Sequence, residues 1–190
     1  ITLTTIGSGT VTTSNIVDGN VTNAKLANSS ITLNGSAVSL GGSATIGGGK
    51  IGQVVLMSAV STQQTTTSLS FVDMTNVSQA ITPSATSSKI LIVAMVQCGV
   101  QRSNAETYMG LNIVRGSTSL WSQGSMSFGG YIGGASAYQN YGTQTLTYID
   151  SPSTTNATTY KLQFKAGGGG SAFVQFQSVP TQMYLMEVLA

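Results

Sequence analysis

The first 46 residues repeat a short phrase every ten positions, and this repeat limits the possible folds more than any other feature. Each decad opens on an aliphatic residue followed by Thr, and the first three have an aliphatic midpoint: Ile1, Val11, Val21 and Ile31, with Ile6, Ile16 and Leu26. Two apolar side chains in ten residues bury too little surface to offset the ordering entropy. Such a repeat is either disordered or buried by identical copies of itself. We favour the second interpretation, which predicts a stalk.

Residues 31–46 alternate apolar and polar positions around two turn signals. Asn34-Gly35 and Gly41-Gly42 separate short alternating runs, a pattern typical of hairpins. Strands this short are marginal in a monomer, so three intertwined chains would supply the missing apolar neighbours. The shaft contacts predicted for this trimer are ten aliphatic residues: Ile6, Val11, Ile16, Val21, Leu26, Ile31, Leu33, Val38, Leu40 and Ile46.

A run of three glycines, 47–49, separates this stalk from a different kind of sequence. We therefore place a domain boundary there, with a repeat shaft and Gly-rich neck at 1–49 and a head at 50–190. The head contains about nine or ten short apolar runs with turn signals every eight to twelve residues and no helical periodicity. This spacing predicts an all-β chain whose head is an antiparallel β-sandwich or jelly roll.

Some details of the head are also predicted. Residues 62–68 read as a polar loop, 69–74 and 77–81 as two strands, and 108–115 as a strand whose alternate residues face a core. The apolar last segment, 182–189, is expected inside a sheet or against a partner chain. Cys98 lies in an apolar run, so we expect a buried, reduced thiol.

Charge is scarce and evenly scattered. Only 6% of residues are charged, whereas 41% are hydrophobic, which differs from the composition of disordered chains. The seven basic residues form no cluster that could follow a phosphate backbone, so nucleic-acid binding is disfavoured. The longest apolar run, 90–96, is too short to cross a bilayer as a helix, so membrane insertion is not expected.

The residues that usually carry chemistry are few. The chain has no His, which removes the commonest general base and metal ligand, and we predict no metal, no cofactor and no enzymatic activity. Each of the five carboxylates has a structural interpretation: Asp18 in a turn, Asp73 and Asp150 near strand ends, Glu106 in a loop, and Glu187 on the solvent side of the last strand. A carboxylate pair that cleaves glycosides is the weaker alternative.

One segment has the composition of a recognition surface. Gly124–Gly142 is rich in Gly and aromatic residues and reads as a long loop, where binding residues are often found. Tyr and Trp offer flat faces to sugar rings together with polar groups. The predicted receptor-binding residues are Trp121, Phe128, Tyr131, Tyr138, Asn140 and Tyr141. The alternative is that these aromatics pack the loop down or line a trimer axis.

Several phrases of the sequence resemble bacteriophage tail-fibre proteins. Residues 16–27 are similar to the Asp-Gly-x-Val-Thr-x-Ala-Lys-Leu repeats of their shafts, and residues 31–46 to their Leu-Asn-Gly-x-x-Val-x-Leu-Gly-Gly motif. Residues 81–92, 150–152 and 159–163 are similar to fibre head domains. The resemblance implies a homotrimeric virion fibre with a slender shaft and a compact β head.

Four hypotheses follow from these features. The first is an adhesive fibre on the phage particle, joined to other virion proteins at its N-terminal end, whose head contacts a host cell-surface glycan or protein. The second is a capsid-attached head fibre or connector whose head is purely structural and trimerising. A cellular trimeric head of the complement or tumour-necrosis-factor type and a glycan-trimming enzyme are weaker alternatives.

Overall fold

The computed structural model is described for most of the chain. The described residues are 16–17, 21–22, 25–28, 30–33, 36–43, 50–102, 105–132 and 138–189, and of residues 105, 125–127, 130–132 and 138 only the backbone is described. The chain divides into two compact units, Ile1–Gly48 and Gly49–Ala190. This division lies beside the boundary that the glycine run predicts.

The first unit contains the predicted hairpin. Strands β1 (Ser30–Leu33) and β2 (Ser36–Ser39) pair antiparallel, with Ile31 opposite Val38. A tight turn follows β2, because the amide of Gly42 donates to the carbonyl of Ser39 at 2.8 Å. Gly41 occupies this turn with φ of 82°, a left-handed conformation that glycine adopts without strain.

The described aliphatic residues of the repeat remain exposed in the single chain. Val21 is 52% exposed and Leu26 is 40% exposed, and Ile16 and Ile31 lie between these values. Leu33, Val38 and Leu40 are half-buried. The predicted shaft contacts Ile6, Val11 and Ile46 lie outside the described residues. Four of the described aliphatic residues of the repeat thus remain in contact with solvent: Ile16, Val21, Leu26 and Ile31.

The described residues of the second unit contain ten strands. They are β3 (Ile51–Leu56), β4 (Gln64–Thr66), β5 (Val72–Ile81), β6 (Lys89–Arg102), β7 (Ala105–Arg115), β8 (Thr118–Ile132), β9 (Tyr138–Asp150), β10 (Thr158–Gly167), β11 (Ser171–Val174) and β12 (Gln182–Val188). A short 3₁₀ segment, Phe176–Ser178, lies between β11 and β12. Among the described residues, no helix is long and apolar enough to cross a membrane.

These strands form two antiparallel sheets. Sheet I has the order β5-β10-β7-β8. In sheet II the long strand β6 pairs with β9 along one edge and with β12 and then β11 along the other, and β3 and β4 pair with β12 and β11. If β3 with β4 and β11 with β12 are counted as interrupted strands, each sheet has four strands, which is the layout of a jelly roll. The predicted antiparallel sandwich is therefore confirmed.

One hydrophobic core fills the space between the sheets. Strand β6 contributes every second residue to it, from Ile90 to Val100, and Cys98 is buried among them. From sheet I, β10 contributes Tyr160, Leu162 and Phe164. This period of two is what an antiparallel sheet with one covered face requires. The predicted core face of β7 is also confirmed, since Met109, Leu111 and Ile113 are fully buried.

Strand β5 differs from its prediction because it is continuous. The two predicted strands are a single strand with a bulge, in which the residues between Asp73 and Ser78 oppose Leu162. Asn76 has φ of 62° inside this bulge, a conformation that Asn tolerates better than most residues. The predicted polar loop 62–68 contains β4, whose Gln64 accepts from the amide of Thr75 at 2.6 Å and donates to its carbonyl at 3.1 Å.

The prediction of a long loop at Gly124–Gly142 is wrong. Most of this segment belongs to β8 and β9, and only residues 133–137 between them lie outside the described part of the chain. Two of its glycines, Gly129 and Gly142, permit close packing. Gly129 lies against Tyr108, and a Cβ atom on Gly142 would stand 3.1 Å from the ring of Phe128.

Two carboxylate predictions also need correction. Glu106 lies in β7 rather than in a loop. Glu187 was expected on the solvent side of β12, but its side chain is only 1% exposed. Alternation places Glu187 inward, since Tyr184, Met186 and Val188 occupy the outward positions of the same strand. Hydrogen bonds donated by Ser84 and Gln53 stabilise the carboxylate in this inward position.

Candidate interaction surface

The outer face of sheet II, opposite the core, is apolar over much of its area. We call this surface the apolar face, and it consists of eight residues from four adjacent strands: Val54, Leu56, Leu91, Val93, Met95, Ile149, Tyr184 and Met186. Val54, Leu56 and Ile149 are 56%, 53% and 51% exposed. An antiparallel sheet with one solvated face normally carries polar residues there. The apolar face therefore has the character of a contact surface.

The strand register makes the apolar face continuous. Leu91 of β6 is directly opposite Ile149 on one side and Met186 on the other, and Met186 is opposite Val54. Directly opposed side chains lie about 5 Å apart, so these four form an unbroken row across the sheet. The neighbouring row contains Val93, Tyr184 and Leu56. None of the eight residues is charged, and Lys89 lies at the margin.

The same outer face ends in a different surface toward the C-terminal end of β6. We call it the aromatic–amide patch, and its residues are Gln97, Gln101, Gln139, Tyr141, Thr143 and Phe176. Tyr141 is 52% exposed, and its ring centroid lies 5.1 Å from that of Phe176 with an interplanar angle of 40°. Phe176 in turn contacts the buried Phe173 at 5.1 Å. The patch is thus anchored in the molecule at one side and open at the other.

Glycine positions the rings of the patch. Gly99 of β6 is paired with Tyr141 on one side and Phe173 on the other. A Cβ atom on Gly99 would collide with the ring of Phe173, so that ring lies directly over the glycine. The absence of a side chain at this position is what allows an aromatic ring to lie flat against the sheet.

The backbone that carries Phe176 is strained. Gln175, Gln177 and Ser178 have φ of 56°, 52° and 62°, although none of them is glycine. Left-handed conformations in such residues cost of order 1–3 kcal/mol each and persist where the surroundings enforce them. The side-chain amide of Gln175 is buried and lies 2.7 Å from the hydroxyl of Thr181, and its backbone N–H donates to the carbonyl of Gln97 at 3.1 Å. These contacts hold the strained turn in place.

The outer face of sheet I is a hydrogen-bonded polar network that crosses all four strands. Asp73 of β5 accepts from Lys161 Nζ at 2.7 Å and from Gln163 Nε2 at 2.6 Å. Asn112 of β7 then donates to Gln163 Oε1 at 2.9 Å and accepts from the hydroxyl of Ser119 in β8 at 2.8 Å. The hydrogen bond from Lys161, followed by that from Gln163, lowers the pKa of Asp73 below its usual value.

Two buried carboxylates close the core at the end where β3 begins. Asp150 and Glu187 are both paired with Ile90, one on each side of β6. Asp150 accepts from Arg115 Nη1 at 2.8 Å and from the hydroxyl of Tyr160 at 2.7 Å. Burial and then this hydrogen bond raise the pKa of Tyr160 far above its usual value. Asp150 is therefore engaged in a structural cluster.

Glu187 is stabilised as a carboxylate by its own set of donors. The backbone N–H and the hydroxyl of Ser84 each donate to it at 2.6 Å, and Gln53 Nε2 donates at 2.8 Å. Burial by itself would raise the pKa of Glu187, but the hydrogen bonds outweigh burial and lower it to about 2. In the described part of the chain, no three His, Cys, Asp or Glu side chains lie together as a metal site would require.

Burial alone determines the direction in which the pKa of the single cysteine is shifted. Desolvation raises the pKa of the Cys98 thiol to about 12, which keeps it protonated at neutral pH. A buried thiol in this state is chemically inert.

Of the six predicted receptor-binding residues, the four whose side chains are described do not lie on one surface. Trp121 and Phe128 of β8 are half-buried and pack against the core. Asn140 is half-buried and lies next to Tyr141, which belongs to the aromatic–amide patch. Tyr131 and Tyr138 lie in β8 and β9, and their side chains are outside the description.

Sequence reasoning missed most of the aromatic–amide patch. Phe176, Gln97 and Gln101 were not singled out, because each is unremarkable by itself. A signal was nevertheless present in the most apolar strand, where Gln97, Gly99 and Gln101 alternate with buried residues. Polar residues at alternate positions of an otherwise apolar strand mark an outer face that differs from the rest.

Comparison with known proteins adds little to this geometry. No family profile and no curated protein matches the chain. Three structural matches come from infectious bursal disease virus: chains of the Gx strain, the Gt strain and the VP2 subviral particle, with TM-scores of 0.37, 0.32 and 0.31 and identities of 17%, 17% and 16%. Each match covers 73% of this chain and 38% of the other. Likeness at this level carries no argument about function.

Proposed function

We propose that the chain is a homotrimeric structural fibre protein of a bacteriophage virion, with a repeat shaft at 1–49 and a head that attaches to the host surface. The observation that carries this proposal is the apolar surface left uncovered in both units. The repeat exposes residues such as Val21 and Ile31, and the head exposes the apolar face. Further copies of the chain would cover the exposed apolar residues of each unit.

The chemistry of the exposed residues supports self-association. Each decad has too few apolar residues to fold alone, and two neighbouring copies would triple the number around a common axis. The apolar face lacks charge, and obligate interfaces between identical chains are more apolar than ordinary surfaces. The motifs of residues 16–27 and 31–46, which resemble phage fibre shafts, favour the threefold arrangement and a place in the virion.

Sedimentation equilibrium of the intact chain tests the assembly. We expect a single species with three times the mass of the chain over a wide range of protein concentration. A folded monomer would overturn the proposal, and a stable dimer would overturn its threefold symmetry. Electron microscopy of the particle that contains the chain would then show whether the protein projects from the tail or from the capsid.

Attachment to the host is the second part of the proposal. Fluorescently labelled intact protein should bind to cells of a susceptible bacterial strain and not to cells of a resistant strain. The proposal assigns the chain no catalytic activity and no cofactor, because its described buried carboxylates are held by protein donors.

The alternative is a capsid-attached fibre or connector whose head only trimerises. The extent of the apolar face favours it, since a head that serves assembly needs nothing more. This alternative predicts intact trimers that bind neither strain, so the sedimentation and cell-binding experiments together separate the two proposals.

A further inference from the structure

We propose that the aromatic–amide patch is a binding subsite for an uncharged sugar ring, in which Tyr141 and Phe176 provide the stacking surface and Gln97, Gln101 and Gln139 bind the hydroxyls. This inference rests on the proposed role of the head in attachment, and it names the class of host molecule that the head would recognise. Its support comes from four properties of the patch.

The first property is the shape of the aromatic pair. The rings of Tyr141 and Phe176 are tilted by 40° with their centroids 5.1 Å apart, and we call the surface that this pair presents the notch. Tyr141 is about half exposed, and Phe176 is backed by Phe173, which lies over Gly99. A pyranose ring presents C–H bonds on its face, and these pack against the π surface of an exposed aromatic ring.

The second property is a set of amide groups with unused hydrogen-bonding capacity. Thr143 Oγ1 donates to Gln97 Oε1 at 2.7 Å, and Gln139 Nε2 donates to Gln101 Oε1 at 3.1 Å. Among the described residues, no protein acceptor binds the side-chain N–H groups of Gln97 or Gln101, and no donor binds the side-chain oxygen of Gln139. Donors and acceptors are thus both free, as the hydroxyl groups of a sugar require.

These amides lie at a suitable distance from the notch. Gln97 and Gln101 are each two residues from Gly99 along β6, which corresponds to about 6.6 Å on either side. A sugar ring stacked on Tyr141 would therefore have one edge next to Gln97 and the opposite edge next to Gln101 and Gln139. Strand pairing fixes the backbone positions of these residues, so their spacing around the notch is set by the fold.

The third property is the absence of charge. All six residues of the patch are neutral, so the surface offers no opposite charge to a carboxylate, sulfate or phosphate group. A sialylated or sulfated sugar would lose hydration of its charge without replacement. The patch therefore favours neutral hexoses and N-acetylhexosamines over acidic sugars.

The fourth property is the strained turn at 175–178. Three non-glycine residues with positive φ hold Phe176 against Tyr141. Strain of this kind marks positions where a side chain is presented in a required orientation. A purely structural turn could relieve the strain with glycine, and this turn contains none.

The patch adjoins the apolar face, but its centre lies beyond it. Met95 is the last residue of the apolar face along β6, and Gly99 is four residues further on, or about 13 Å. Copies of the chain that cover the rows of Leu91 and Val93 would leave the notch outside the contact. The two surfaces can therefore be tested independently by mutation.

The test is a glycan array probed with labelled intact protein. The array carries neutral hexose and N-acetylhexosamine oligosaccharides, together with sialylated and sulfated oligosaccharides as the charged set. We expect binding to members of the neutral set. Tyr141→Ala should weaken that binding by about tenfold or more through loss of stacking, whereas Tyr141→Phe should retain most of it. Gln97→Ala should weaken it by several-fold.

Phe71→Ala is the matched control, because Phe71 is a half-buried aromatic residue that lies under Lys165 near sheet I. It should leave glycan binding unchanged. Sedimentation of each variant must show the wild-type mass, so that a loss of binding reports the patch and not the assembly.

Four results would overturn the inference. Unchanged glycan binding by Tyr141→Ala would exclude the subsite, and preference for the charged set would exclude the neutral class. A lower sedimenting mass for Tyr141→Ala would assign the patch to self-association instead. Absence of glycan binding while labelled protein still binds cells would reject the sugar and leave the proposed adhesive function standing.

Discussion

The two outer faces of the sandwich follow the same strand alternation but have opposite chemistry. On sheet I, outward residues bond to one another from Asp73 across Gln163 and Asn112 to Ser119. On sheet II, the outward positions of four strands hold the apolar face. Polar side chains that bind one another are stable in contact with water, whereas a continuous row of exposed aliphatic side chains is typical of a contact surface. The comparison supports our proposal that sheet II, rather than sheet I, makes the contacts between copies of the chain.

Charge placed on the apolar face should have the largest effect. The double variant Leu56→Glu and Ile149→Glu adds two carboxylates at positions that are more than half exposed, so folding of the single chain should persist. In an assembly these charges would be buried without partners, which costs several kcal/mol each. We expect self-association to weaken by at least about a hundredfold in sedimentation equilibrium.

The corresponding change on sheet I is the control. Ser122 of β8 is exposed and paired with Asn112, so Ser122→Glu places a similar charge on the other face. The control should associate like the wild type. If both variants remain fully assembled, the shaft alone holds the copies together and the apolar face is not the contact surface.

Each face also has one aromatic ring lying on a glycine, which allows a matched pair of substitutions. Phe173 covers Gly99 on sheet II, and Tyr108 covers Gly167 on sheet I. Alanine at either position would collide with the ring, and such overpacking costs about 2–3 kcal/mol. We expect similar losses of unfolding free energy in urea for Gly99→Ala and Gly167→Ala.

Glycan binding should distinguish Gly99→Ala from Gly167→Ala, although both variants should lose a similar amount of unfolding free energy. Because Phe173 supports Phe176, Gly99→Ala should also weaken glycan binding, and Gly167→Ala should leave it unchanged under conditions where both remain folded. Equal glycan affinities for the two variants would show that ring placement over Gly99 has no bearing on the patch.

Glu187 of β12 faces the core, whereas its neighbours Met186 and Val188 face outward, and its carboxyl group offers a pH test of stability. Its pKa is lowered to about 2 from an ordinary 4.5, so its contribution to stability is present above pH 4.5 and lost as pH falls toward 2. Glu187→Gln removes this contribution, on the order of 3 kcal/mol at pH 7. The stability difference from the wild type should therefore shrink between pH 5 and pH 2.

Urea unfolding at several pH values measures this difference. Self-association at pH 7 should not change in Glu187→Gln, because the side chain faces the core while Met186 and Val188 face outward. A difference in unfolding free energy that stays constant down to pH 2 would show that Ser84 and Gln53 do not depress the pKa of the carboxyl group.

The sequence predicts the sandwich well because its strands obey a simple period. Alternation in β7 and the apolar run of β6 are local properties, and both elements form as predicted. Glu187 could not be placed in the same way. Whether a carboxylate faces inward depends on donors from Ser84 and Gln53, which are distant in sequence and meet it only in the fold.

The candidate surface is harder to predict because it forms from strands brought together by register. Tyr141 was singled out by its aromatic, glycine-rich context, but its neighbours Gln97 and Phe176 come from other parts of the chain. The same context misled the prediction of a loop at 124–142. Glycine in a strand marks close approach as often as it marks a turn, and only the pairing partner decides which applies.

The smallest effects should come from the polar network of sheet I. Asn112 is buried and bonds on both sides, so Asn112→Ala should cost about 1 kcal/mol of unfolding free energy in urea. Asp73 is half exposed, and its ion pair with Lys161 is screened by solvent, so Asp73→Ala should change stability by no more than about 0.5 kcal/mol. Neither variant should alter sedimenting mass or glycan binding. A loss of cell binding in Asp73→Ala would mean that the network recognises the host, which would reverse the roles that we assign to the two faces.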